Sequence, residues 1–186
     1  GPEHGWASGR WAEGATEFIQ MATTRPETIL GDTAVATAPG DPRWRDLVGK
    51  TAILPAVGRR IPIIADAAVD PEFGTGAVKI TPAHDPTDNE IGIRHDLPVV
   101  DVLTDTADMN ELAGPYAGQG RFECRRNIVA DFDKEELLVR VDPYRHAVGT
   151  CERCHTDIEP RVSTQWFVRT KPLAEAAMEA VRSGET

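Results

Sequence analysis

The chain has 186 residues, 40% hydrophobic but only 6% aromatic, with a net charge of -10 and a pI near 4.9. That is enough for one domain with an appendage, and its acidity excludes a generic basic nucleic-acid binder. Fourteen prolines and sixteen glycines exclude a plain helical bundle in favour of short strands and many turns, and three cysteines, with one Cys-x-x-Cys, suit a reducing compartment better than a disulfide framework.

Taken in order, residues 1–15 read as a glycine-rich lead-in. Thr16–Thr24 predicts a strand with Phe18, Gln20, Ala22 and Thr24 on one face. Pro26 ends it, leaving Thr23, Thr24, Arg25, Glu27 and Thr28 as a polar shelf that also reads as a hydrophilic turn. A strand is expected near Ala34–Thr37, and a helical turn opens at Asp41-Pro42 and closes at Gly49. Thr51–Leu54 and Arg60–Ile64 read as two strands of a hairpin around Val57-Gly58-Arg59.

The stretch 73–88 organises the rest. Gly74 and Gly76 suit a turn with positive φ, and Ala77–Thr81 reads as a strand with Lys79 and Thr81 on one face. Asp85 then caps a helix over residues 86–96, with Pro86 at its first position and Asp88 at its third. Lys79, Thr81, Asp85 and Asp88 are thereby expected to converge at one strand-to-helix junction. Each also has a plainer reading: a solvated lysine, two helix-capping acids and, for His84, a structural histidine.

Val99–Leu103 predicts a further strand, residues 104–120 a long loop, and Arg121–Leu138 an amphipathic helix carrying Phe122, Ile128, Val129, Phe132 and Leu137 on its apolar stripe. Residues 143–168 are loop-rich and hold Cys151 and Cys154. A last helix spans Lys171–Arg182, with Gly184 past its end. No stretch reaches transmembrane length, no signal peptide is read and neither end reads as a natural terminus. The expected fold is α+β: a distorted β-barrel with peripheral helices and a loop-rich C-terminal extension. Its expected divisions are a lead-in over 1–15, a core over 16–142 and a return segment over 143–186.

Joined in order, Ala22-Thr23-Thr24-Arg25-Pro26-Glu27-Thr28, Gly74-Thr75-Gly76 and Thr81-Pro82-Ala83-His84-Asp85-Pro86-Thr87-Asp88 resemble the signatures of the editing domain inserted into class I aminoacyl-tRNA synthetases for valine, isoleucine and leucine. Lys79-Ile80-Thr81, Gly92-Ile93-Arg94-His95 and Ser163-Thr164-Gln165-Trp166-Phe167-Val168 resemble the valine enzymes most. The resemblance covers residues 16–170 and implies a cytoplasmic deacylase that clears threonine from the acceptor end of tRNA(Val), with the rest of a synthetase as its partner. It implies catalytic roles for Thr23, Thr24, Asp85 and Asp88, with Asp88 on the substrate ammonium. It implies substrate contacts by Arg25, Phe73, Gly74, Thr75, Gly76, Lys79, Thr81 and His84. The motifs such enzymes use for ATP are absent here, so no cofactor is expected in this fragment, while the intact enzyme would use ATP.

Cys151 and Cys154 have the spacing of half a zinc knuckle, and in the family a partner pair precedes the segment matching residue 1. No metal is expected on these residues alone. A non-catalytic zinc-ribbon RNA-docking module, and editing of the leucine or isoleucine type, are the alternatives. Arg121, Arg125, Arg126, Arg140 and Arg145 are candidates for a local RNA-contact face, against ordinary surface solubility.

Overall fold

The computed structural model describes residues 18–184. Its sheet has four strands, β1 (Ala34–Thr37), β2 (Thr51–Ile53), β3 (Arg60–Ala65) and β4 (Ala77–Ile80), in the order β2-β3-β1-β4. β2 and β3 form the antiparallel hairpin expected from the Gly58 turn, with Thr51 opposite Pro62. β3 returns parallel to β1, Val35 facing Ile63, and β4 runs antiparallel to β1, Ala34 facing Ile80. β1 is buried along its whole length, as an inner strand covered on both faces must be, which is why Ala34-Val35-Ala36 lacks a polar alternation.

The sheet is open where a distorted barrel was expected. Closure would require β2 to pair with β4, and four strands of three to six residues are too few and too short to curl back on themselves. Two expected strands are also absent among the described residues. Of Thr16–Thr24, residues 16 and 17 lie outside the description. Residues 18–24 form no ladder, and the Thr23 hydroxyl instead accepts from the Arg25 amide at 3.0 Å. Val99–Leu103 makes only one isolated bridge, Leu103 to Met109, because the Val102 N–H donates to the His84 ring at 3.0 Å instead of to a neighbouring strand. A period-2 pattern signals an extended chain but cannot say whether a strand edge is there to receive it.

Among the described residues there are three α-helices: α1 (Pro86–Arg94), which packs on the sheet, α2 (Arg121–Lys134) and α3 (Thr170–Ser183). Among the described residues two short 3-10 helices, Pro26–Gly31 and Glu111–Tyr116, add to them, the second lying inside the stretch expected to be loop. α2 buries Cys124 and Ile128 against Leu30, Val102, Leu103, Met109 and Tyr116, so the α2 face closes over the Pro26–Gly31 segment. On the other side Ile91 of α1 meets Ala34, Ala36 and Ile80. Gly92 is needed there because a Cβ would stand 2.9 Å from the Pro82 ring. Residues 137–169 contain no regular element except an isolated bridge between Thr150 and Asp157, and α3 buries none of its residues. Among the described residues no helix is long and apolar enough to cross a membrane.

α1 is pinned at its C-terminal end by Asp66, just past β3. The Asp66 carboxylate accepts from Arg94 at 2.9 and 3.1 Å and meets His95 Nε2 at 2.9 Å. The Arg94 hydrogen bonds, opposed in part by burial and helped by the Ala68 amide, hold its pKa well below the ordinary 3.8. A carboxylate depressed in the folded state stabilises above the unfolded-state pKa and loses that stabilisation as pH falls. Stability should therefore decline below pH 4 by about 1–2 kcal/mol from this group, discounted for the half-exposed Arg94. Urea unfolding of wild type and Asp66→Asn at pH 7 and pH 3 checks this: the gap between them should shrink at low pH.

Candidate active site

β4 ends and α1 begins at a polar corner. Asp85 is the N-cap of α1 and its carboxylate accepts from the amides of Thr87 at 2.8 Å and Asp88 at 3.1 Å. Two orphan donors of the first turn are satisfied this way. Pro86 has no donor to lose at the first helical position. One turn in, Asp88 points back across the corner, and its Oδ2 accepts the Thr81 amide at 2.9 Å. The helix start and the strand end are thus tied by a side chain that is itself almost buried. Desolvation raises the Asp88 pKa above the usual carboxylate range, with the Thr81 amide and the Lys79 charge opposing that rise.

Lys79 and Thr81 share a face of the strand end, as alternation predicts, and the Lys79 ammonium donates to the Thr81 hydroxyl. Both converge on Asp32, which follows the Pro26–Gly31 turn. Asp32 Oδ1 accepts from Thr81 Oγ1 at 2.5 Å and from Lys79 Nζ at 3.2 Å. Asp32 is fully buried, and burial pushes its pKa up to about 6 despite Lys79 and Thr81. Its Oδ2 has no hydrogen-bond partner among the described residues. Sequence reasoning missed Asp32 because a Gly-Asp-Thr ahead of a strand reads as a turn, and only folding shows that this acid is enclosed.

The polar shelf reaches the same corner through Arg25. Its Nη1 donates to the His84 carbonyl at 2.9 Å, and its Nη2 pairs with Glu159 of the C-terminal segment. Glu159 also pairs with Arg121 of α2 at 3.0 Å. Thr23 and Thr24 stand exposed beside Arg25. Glu27, wholly buried, is held by a two-pronged contact from Arg125, at 2.7 and 2.8 Å. Arg121, Arg125 and Arg140 are therefore engaged by carboxylates, Arg140 by Asp142, rather than standing free for phosphates. His84 has a structural setting: buried, with Nε2 accepting the Val102 amide and its pKa lowered chiefly by desolvation.

Phe73, Gly74, Thr75 and Gly76 are not brought to this cluster. They sit at the opposite end of β4, whose four residues, spanned in five steps of roughly 16 Å, separate Gly76 from Thr81. There the turn packs against a different neighbour: Trp44 Nε1 donates to the Thr75 carbonyl at 3.2 Å. Gly76 has φ +72°, and a Cβ on it would meet Arg43 at 2.2 Å. A cavity of about 410 Å³ lined by Phe18, Arg43, Trp44, Asp46 and Leu47 lies beside that turn, also away from the Asp32–Lys79–Thr81–Asp88 corner.

Cys151 and Cys154 lie in the bridged loop, with Cys154 Sγ 3.3 Å from the Thr156 hydroxyl. That contact and the neighbouring Cys151 favour the thiolate and lower the Cys154 pKa to about 7. Two sulfurs make half of a tetrahedral set, and among the described residues no group of three or more His, Cys, Asp or Glu is placed to hold an ion. The residues in hand do not fit a closed zinc site.

The geometry can do one thing well: present an acid, an ammonium and a hydroxyl from one buried corner to a small polar ligand. Comparison with known proteins gives this corner its context. The family model described as "Leucyl-tRNA synthetase, editing domain" matches residues 46–123. A valine–tRNA ligase of Thermotoga maritima is 57% identical over 169 residues, which cover 91% of this chain and 20% of that protein. The valine–tRNA ligase of Carboxydothermus hydrogenoformans is 59% identical over 173 residues, covering 93% and 20%. A solved ternary complex of Agrobacterium radiobacter K84 agnB2 LeuRS with tRNA and LeuAMS aligns with TM-score 0.49 at 18% identity, over 81% of this chain and 28% of that one. The chain spans about a fifth of the length of the curated relatives it matches.

Proposed function

Because this chain belongs to the editing domain of the valine–tRNA ligases, we propose that it hydrolyses the ester of mischarged Thr-tRNA(Val). The observation that carries the reading is the buried convergence of Asp88, Thr81, Lys79 and Asp32 at one strand-to-helix corner.

Threonine and valine have nearly one shape, so an apolar synthetic site separates them only about 100-fold, these two amino acids being the very pair for which that figure is known. A second site that hydrogen-bonds the hydroxyl reverses the preference. Valine entering it would leave buried donors and acceptors unpaired. Lys79 and Thr81 read the hydroxyl in this proposal, and the Asp88 carboxylate takes the substrate α-ammonium. Thr23, Thr24 and Arg25, beside the same corner, hold the terminal adenosine and orient the attacking water. Asp85 supports the reaction by fixing the first turn of α1, which carries Asp88. Phe73 and the Gly74–Gly76 backbone are assigned a more distant wall of the acceptor end, given their place at the far end of β4.

Water adds to the ester carbonyl carbon, the carbonyl oxygen takes up negative charge, and the carbon–ribose oxygen bond breaks with a proton delivered to the ribose oxygen. An aminoacyl ester is already activated, so holding the water in line and offering donors to the oxyanion accounts for most of the needed acceleration. With a net charge of -10, the chain should grip tRNA weakly by itself. The remainder of the ligase, outside these residues, would supply that grip, ATP-dependent aminoacylation, the second half of any zinc site and a cytoplasmic setting. Residues 143–186 are assigned to the path back towards it.

The test is deacylation of threonyl-tRNA(Val) and valyl-tRNA(Val) by this chain and by the full-length ligase. Threonine should be released preferentially. Equal release of both by the full-length enzyme would sink the reading.

A further inference from the structure

Each group at the corner has a fixed hydrogen-bonding capacity. A threonine hydroxyl has one proton and two lone pairs, and an ammonium has three protons and no lone pair. Asp32, once ionised, only accepts. The Thr81 hydroxyl therefore donates to Asp32 Oδ1, since the acid has nothing to donate, and the 2.5 Å separation fits a charge-assisted bond. The Thr81 oxygen must then accept from Lys79, which has only protons to offer. Lys79 uses a second proton on the same Asp32 oxygen. What remains is one lone pair on Thr81 and one N–H on Lys79.

We infer that Asp32 is a positioning residue that sets the direction of hydrogen bonding at this corner, so that Thr81 is left accepting and Lys79 donating to a substrate hydroxyl. One leftover donor beside one leftover acceptor complements an alcohol, which both gives and takes a hydrogen bond. Without Asp32 the Thr81 proton is free to rotate towards the ligand, and Lys79 loses the oxygen that holds it beside Thr81. The Thr81 proton and lone pair then compete for the ligand and Lys79 is no longer fixed beside them, so a set acceptor and a set donor no longer stand opposite the alcohol. Asp32 is suited to the task because it is fully buried and ordered by the Pro26–Gly31 turn, whose Asp32 carbonyl and Leu30 carbonyl are both held by Arg59 at 3.0 Å. The inference rests on the editing reading for its substrate, but its test separates the two.

The probes are two non-hydrolysable aminoacyl-adenosine amides, one carrying threonine and one carrying 2-aminobutyrate, which lacks the hydroxyl. Calorimetric binding to this chain should favour the threonyl amide. Asp32→Ala should reduce that preference about 10- to 100-fold, the loss expected when a buried hydroxyl goes unpaired, while affinity for the aminobutyryl amide changes little. Asp32→Asn keeps an acceptor in place and should retain most of the preference. If Asp32→Ala does not fold, Asp32→Leu fills the volume without an acceptor and carries the same expectation. Equal weakening of both amides would indicate a merely structural acid and overturn the inference, as would a wild-type chain that does not tell the amides apart. Selective binding by a wild-type enzyme that releases no threonine would leave the inference standing and remove the deacylase reading.

Discussion

Asp88→Asn should release threonine from threonyl-tRNA(Val) between about 30-fold and several thousand-fold more slowly than wild type. That range corresponds to the roughly 2–5 kcal/mol lost when one member of a buried, hydrogen-bonded charge pair is neutralised. Asparagine is the informative replacement. Its oxygen can still accept the Thr81 amide, which in wild type lies 2.9 Å from Asp88 Oδ2, so the corner keeps its shape while losing its charge. Asp88→Ala removes that acceptor too, leaving a buried N–H unpaired, and should cost stability as well as activity. Kinetics of threonyl-tRNA deacylation together with thermal unfolding of both variants distinguish the two losses. A wild-type rate from a folded Asp88→Asn protein would remove Asp88 from the mechanism. Burial also holds the Asp88 pKa above the usual carboxylate range, and the acid must be ionised to hold an ammonium. Wild-type activity should accordingly rise with pH through a value higher than an exposed aspartate would give, and the asparagine variant should lose the Asp88 share of that rise while Asp32, raised to about 6, keeps its own.

Arg125→Ala should destabilise the fold by about 3 kcal/mol, more than any exposed ion pair is worth. Glu27 is wholly buried and its two oxygens are both engaged by Arg125, with Arg25 a distant second cation at 3.7 Å. Taking the arginine away strands a desolvated carboxylate beneath α2, where the Pro26–Gly31 segment and the helix meet. The converse change is milder. Glu27→Gln leaves Arg125 facing a neutral partner, but that guanidinium keeps about a third of its surface in water. Its expected cost is about 1–2 kcal/mol. Urea unfolding of the two single variants and of Arg125→Met with Glu27→Met gives the ordering. The double variant should recover part of the Arg125→Ala loss, since no isolated charge is left behind. Equal stability of Arg125→Ala and wild type would mean that the buried Glu27 does not depend on Arg125 in the native state.

The charged side chains around the corner also explain why composition says little about nucleic-acid contact here. In the sequence Arg121 and Arg125 read as surface charges or as part of a local RNA-contact face. In the fold they face Glu159 and Glu27, brought in from opposite ends of the chain. Their role as internal fasteners is a property of separations of 38 and 98 residues that no local window contains.

Short-range signals determined the β2–β3 hairpin, β1, β4 and α1, with its Asp85 cap and Pro86 start, because each depends on neighbours a few residues away. The adjacency of Lys79 and Thr81 was equally legible, since alternation along one strand places both on one face. Family membership followed from the order of the motifs, which needs no geometry. Tertiary structure alone decided the rest. Whether an extended segment becomes a strand depends on an edge to receive it, so residues 18–24 and 99–103 form no ladder and the sheet stays open instead of closing into a barrel. The Gly74–Gly76 turn, close to Thr81 in sequence, ends up at the far end of β4 because a strand is rigid and extended. Asp32 is the clearest case. Nothing local marks it as different from any aspartate in a turn, yet folding encloses it against the end of β4, and burial turns an ordinary acid into the acceptor around which Lys79 and Thr81 are arranged.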